Sequence, residues 1–152
     1  RIYLFLDADT HLPARTLAAA WALRDRVVGA GALVRFPQTV PWMAGRLAAL
    51  WNVCSRTMAW AAGCFLFVQR EAFERVGGFD ERLFAAEEIA LSQALHPQGR
   101  FVILNEPVLT SDRKVQPGWF WRHLKLVFRV ALTAGRGLES RKGLELWYDP
   151  KR

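Results

Sequence analysis

A chain of 152 residues that is 52% hydrophobic can bury a core of its own, which argues against a disordered or low-complexity segment. Cys54 and Cys64 form no CxxC pair and lie among apolar residues, so the pattern argues against a disulfide framework or a zinc site. It predicts buried free thiols and a reducing, intracellular setting. The net charge of +7 is uneven: residues 112–152 hold ten Lys/Arg and four acids, a net of +6 that leaves +1 for the rest.

The chain enters an apolar run directly after Arg1, with neither an initiator Met nor a signal peptide, so further sequence is expected upstream. Residues 2–6 (IYLFL) read as a strand buried on both faces and ended by Asp7. Thr10 or His11 is expected to cap a helix, with Pro13 in its first turn, that runs to about residue 28 and stops before Gly29 and Gly31. Residues 32–36 (ALVRF) read as the next strand, stopped by Pro37. Pro41 opens a helix over roughly 42–60. Gly63 breaks it, and CFLFV at 64–68 is the third strand.

A short helix at 70–76 ends at Gly77-Gly78. A helix over about 86–95 and a strand at 101–104 follow. The order β-α-β-α-β-α-α-β predicts α/β layers. The last predicted helix covers about 118–136. At 100° per residue, Arg122, Lys125, Arg129 and Arg136 share a wedge of about 60° beside an apolar face with Trp119 and Trp121. Lys125 and Arg129 interrupt the apolar run, so this helix does not span a bilayer. It either packs on the domain or lies in a membrane interface.

Two acidic motifs are candidates to carry chemistry. Asp7-Ala8-Asp9 sits where an apolar strand gives way to a turn, the place where open α/β sheets bind ligands. One or two carboxylates plus substrate phosphates commonly hold a hard divalent ion; Asp residues capping a turn would also explain the motif. Glu87-Glu88 opens a helix shortly after GGFDE at 77–81. A helix-start carboxylate facing a cleft can serve as general base, and acids at a helix start also simply complement the dipole. His11, His96 and His123 lack metal-ligand spacing, so surface or core roles are expected for them.

Taken together, LDADT at 6–10, Gly63 before an apolar strand, REAFERVGGFDERLF at 70–84 and AAEE at 85–88 resemble the family 2 glycosyltransferases of the GT-A fold. The resemblance covers residues 2 to about 113, and GGFDE with the acidic pair is its most specific part. TSDRK at 110–114 looks like the segment after that family's last core strand. The resemblance implies a Rossmann-like mixed-sheet domain over residues 1–115 that lacks its N-terminal nucleotide-binding strands, followed by a basic helix and tail over 116–152.

It further implies Asp9 as main metal ligand, with Asp7 assisting the Mg²⁺ or Mn²⁺ ion or binding the donor ribose. Arg113 and Lys114 would neutralise the donor diphosphate. Gly63, Gly78, Phe79 and Asp80 would lie on the acceptor side. Glu88 matches the catalytic base where Asp is usual, and either Glu87 or Glu88 could face the cleft.

The activity so implied is inverting, metal-dependent transfer from a nucleotide-sugar donor to a hydroxyl of a saccharide or lipid-linked acceptor. The expected location is cytoplasmic, at the inner face of the membrane, with peripheral membrane contact. The rival expectation is a non-catalytic module that binds anionic membrane or nucleic acid through the basic C-terminal segment. No recognised nucleic-acid motif is present, so nucleic acid is not an expected partner.

Overall fold

The computed structural model describes residues 1–37 and 40–111. The predicted helix at 118–136, the pair Arg113 and Lys114, and the boundary at 115/116 lie outside those residues. Among the described residues there are five strands: β1 (Ile2–Leu6), β2 (Thr10–His11), β3 (Gly29–Arg35), β4 (Phe65–Gln69) and β5 (Phe101–Thr110). Four helices are interleaved with them: α1 (Ala14–Ala22), α2 (Trp42–Met58), α3 (Arg70–Arg75) and α4 (Glu87–Leu95), the last followed by a 3₁₀ turn at His96–Gln98.

The strands form one mixed sheet in the order β1-β4-β3-β5-β2. β3 and β5 are parallel, while the β1–β4, β4–β3 and β5–β2 pairs are antiparallel. This is an α/β domain, compatible with a Rossmann-like arrangement. Among the described residues, no helix is long and apolar enough to cross a membrane.

β4 is the strand buried on both faces. Phe65 and Phe67 point into one core with Ala20 of α1 and Val108 of β5. Leu66 and Val68 point into the other, with Ala72 of α3 and Leu91 and Leu95 of α4. All four β4 side chains are no more than 2% exposed, and full burial stabilises by roughly 1.5–3 kcal/mol per side chain. Helices therefore cover both faces, which is why FLFV is continuously apolar rather than alternating.

The same expectation for IYLFL is corrected. Among the described residues β1 pairs with β4 alone, and Leu4 and Leu6, on one face of it, are 40% and 41% exposed. Local composition does not record which face of a strand another element will cover.

The expected helix from Pro13 to residue 28 is also shorter. α1 stops at Ala22, and turns lead to β3, which starts at Gly29. Thr10 and His11 cap nothing. They pair with Thr110 and Leu109 as β2, and Pro13 is itself the N-cap residue. β5 runs on to Thr110 rather than ending at residue 104, because the β2 pairing extends it.

Gly29 and Gly31, read as helix breakers, are strand residues chosen for close packing. A Cβ on Gly29 would stand 2.8 Å from the Phe101 ring and 3.1 Å from the Phe67 carbonyl oxygen. One on Gly31 would meet Ile103 at 2.8 Å. Gly45, in the interior of α2, has nothing within 4 Å of that position. Gly29→Ala is therefore expected to destabilise the chain by about 1–3 kcal/mol through overpacking. Gly45→Ala should stabilise it by about 0.5–1 kcal/mol. Urea melts of the two variants read this difference in sign directly.

Two side-chain clamps fix the helices to the sheet. The Thr16 hydroxyl of α1 donates to the Pro107 carbonyl at 3.0 Å. The Asn52 amide of α2 donates to the Val34 carbonyl and accepts from the Val34 N–H, both at 2.9 Å. Val34 lies where the β3–β5 register shifts, so Asn52 satisfies backbone groups that the irregular ladder leaves over.

Candidate active site

β1 and β2 take opposite edges of the sheet, so the Asp7–Asp9 turn between them runs along one end of it. The turn is closed by the Thr10 N–H donating to the Asp7 carbonyl at 3.0 Å. The Asp7 N–H donates to the Cys64 carbonyl at 3.4 Å, which joins the carboxyl end of β1 to the segment leading into β4. On the other side of that segment stands the first turn of α4.

These three pieces enclose a cleft of about 440 Å³ whose lining includes Asp7, Gly63, Phe79, Glu87 and Glu88. A larger groove of about 660 Å³ lies beside Arg1, Tyr3 and Trp21; the charged residues along it include Arg24, ion-paired with Asp25, and Arg70, ion-paired with Glu74.

Glu88 occupies the cleft floor. Its carboxylate accepts hydrogen bonds from its own backbone N–H and from that of Gly63. A Cβ on Gly63 would lie 3.4 Å from the Glu88 Cδ and Oε1, in ordinary contact with the carboxylate, so the two residues pack directly on each other. The Ser92 hydroxyl, wholly buried, accepts from the Ala61 N–H at 2.9 Å and donates to the Glu88 carbonyl at 2.7 Å. The strand-entry segment and the helix start are thereby tied together around the acid. Ala86, just before α4, holds a left-handed conformation with φ 61°, an arrangement that costs a non-glycine residue energy.

Burial is the main cause that pushes the Glu88 carboxyl up to about 7, and the neighbouring Glu87 and Asp7 charges push the same way. The two backbone N–H groups pull in the opposite direction and lose. Glu88 keeps some surface open to the cleft, so the acid is both shielded from bulk water and reachable. Of the acidic pair it is Glu88 that packs on Gly63, while Glu87 lies beside it in the cleft lining.

Cys64 is buried beside these groups. Burial first, then the charges of Asp7, Glu88 and Asp9, push its thiol up to about 12, so it stays protonated. The charges of Asp7, Glu88 and, least of all, Asp9 are near enough to act on this thiol. Cys54, expected to be buried, is only partly so.

Asp9 lies beyond the cleft lining, and its Oδ2 accepts from the Ser111 hydroxyl at 2.9 Å. Ser111 lies in the TSDRK segment, where no role was expected of it. It meets Asp9 because β2 pairs with the end of β5, across 102 positions of chain.

Phe79 stacks edge-on against Phe5, with ring centroids 5.1 Å apart, and the two form an aromatic wall of the cleft. Asp80 and Gly78 are not brought to that lining. Asp80 binds the Arg82 guanidinium at 2.7 Å, and this partner pulls its carboxyl down to about 2. Gly78 has φ 77° and packs on the Phe73 ring, closing the turn after α3.

Among the described residues, no group of three or more His, Cys, Asp or Glu is gathered to hold a metal ion by itself. Asp7 and Asp9 nevertheless offer hard oxygen donors on one three-residue turn, in a region of concentrated negative charge. Such a donor set fits Mg²⁺ or Mn²⁺ when a substrate's phosphates and water complete the shell. Set against family models, curated proteins and solved structures, the chain shows no match.

Proposed function

We propose that this chain is the catalytic part of a GT-A-fold glycosyltransferase of family 2 type, one that transfers a sugar from a nucleotide-sugar donor to an acceptor hydroxyl with inversion. The observation that carries the reading is the cleft itself. It sets a shielded acid poised near neutrality, Glu88, across from Asp7 of the DAD turn, with Phe79 of GGFDE forming its wall.

In this reading the acceptor lies against Phe79 and Phe5. Glu88 takes the proton of the acceptor hydroxyl as that oxygen forms its bond to the anomeric carbon. The bond from that carbon to the donor diphosphate breaks, and the electron pair leaves with the diphosphate. A base with a pKa near the working pH combines ionisation with proton affinity, which is what the displaced Glu88 value supplies.

Asp7 and Asp9 would hold the Mg²⁺ or Mn²⁺ ion, which when bound offsets the charge growing on the leaving diphosphate. Gly63 orients the Glu88 carboxylate through its N–H.

The test is turnover of a panel of nucleotide sugars by the full-length protein that carries this chain, read as released nucleoside diphosphate with and without Mn²⁺. Release that requires the metal and disappears in the Glu88→Gln variant supports the reading. Release from no donor with either Mg²⁺ or Mn²⁺ overturns it.

A further inference from the structure

From Arg26 through Arg70, both included, the chain carries five arginines and no acidic residue. Two of them, Arg46 and Arg56, lie on α2. At 100° per residue, Trp42, Arg46, Ala49, Leu50, Val53 and Arg56 fall within an arc of about 120°. All six are exposed. Trp42 is 70%, Val53 63% and Leu50 45% open to solvent. The opposite side of the helix, with Ala44, Leu47, Ala48 and Ser55, is buried against the sheet.

A helix lying on a domain usually turns Lys, Glu and Gln outward. Single exposed apolar side chains need no explanation, but a continuous stripe along one ridge marks a contact surface.

We propose that the outer face of α2 is a docking surface for an anionic bilayer, with the helix lying in the plane of the interface. The 17 residues of α2 give a ridge of about 25 Å. Trp42, Leu50 and Val53 supply apolar insertion, and the arginines supply attraction to acidic headgroups. The Arg46 guanidinium sits 5.1 Å over the Trp42 ring, so aromatic body and charge stand side by side as an interfacial anchor requires. Arg35, exposed at the end of β3, extends the basic rim through the cleft it shares with Trp42.

Charge selects this occupant over two others. Residues 112–152 carry a net +6, and a second copy would bring the same arginines, so both would meet the face with like charge. A ridge rather than a groove also suits insertion into headgroups. The inference stands on α2 alone and does not rest on the transferase reading.

The experiment is co-sedimentation of the whole chain with vesicles of phosphatidylcholine alone and of phosphatidylcholine mixed with phosphatidylglycerol. Binding is expected to the mixed vesicles at low salt, falling as salt rises. Arg46→Glu/Arg56→Glu should weaken it by about fivefold per arginine, about 25-fold for the pair. Leu50→Asp/Val53→Asp should weaken it at least about tenfold, with the melting temperature and the oligomeric state unchanged.

Four results overturn the proposal. The chain does not bind anionic vesicles at low salt, which leaves the face to an acidic protein. It binds, but only Arg122→Glu/Lys125→Glu/Arg129→Glu removes the binding. Leu50→Asp/Val53→Asp lowers the melting temperature, which shows the face covered within the chain. The wild type is a dimer that the α2 variants dissolve.

Discussion

Glu88→Gln is expected to lower kcat by about 10²–10⁴-fold while donor KM changes little, because a general base acts in the transition state. The pH profile should change with it. With the Glu88 carboxyl raised to about 7, kcat/KM should climb as pH rises to about 7 and then level off. The Gln variant should lack that limb. Glu87→Gln removes a charge that pushes Glu88 up, so it should keep most activity and move the limb to lower pH.

Stability should move the other way. The folded chain holds a proton that the unfolded chain releases near 4.5, so Glu88 costs folding energy as pH rises from about 4.5 to 7 and the full cost stands above that. Relieving it is worth up to about 3 kcal/mol. Thermal melts at pH 8 should therefore show Glu88→Gln several degrees more stable than wild type, and melts at pH 4 should show no gain. A large activity loss in Glu87→Gln with near-normal Glu88→Gln would reverse the assignment within the pair.

Asp9→Asn should remove metal-dependent turnover, a loss of several kcal/mol in barrier terms and so at least about 10²-fold in rate. Asn keeps an oxygen to accept from the Ser111 hydroxyl, so the turn and the β2–β5 pairing should survive. Circular dichroism should match wild type. Raising Mn²⁺ should recover part of the rate if the lost group is a ligand. Metal-dependent activity equal to wild type would remove Asp9 from that role and leave Asp7, which lines the cleft, as the carboxylate to test next.

The sequence by itself determined the elements whose signals are local. CFLFV is continuously apolar, so a strand could be placed at β4 within one residue. Gly77-Gly78 takes two positive φ values, 83° and 77°, so the end of α3 was legible in the pair. Glu87 marked the start of α4.

The tertiary structure alone decided what depends on distant partners. IYLFL looks like FLFV residue by residue, yet among the described residues Leu4 and Leu6 stay exposed on one face of β1, and no local pattern records what will cover a strand. Gly29 and Gly31 looked like helix breakers because the Phe101 and Ile103 side chains that exclude a Cβ lie about 70 residues away.

The candidate site divides in the same way. Asp7, Asp9, Glu87 and Glu88 could be singled out by residue type and position. That Glu88 rests on Gly63 and loses water there, that Asp9 is held by Ser111, and that Asp80 turns to Arg82 all required the chain to close on itself. A carboxylate's chemistry is set by its dielectric surroundings and its hydrogen-bond donors. Those are properties of the folded volume around Glu88 and not of the letters beside it.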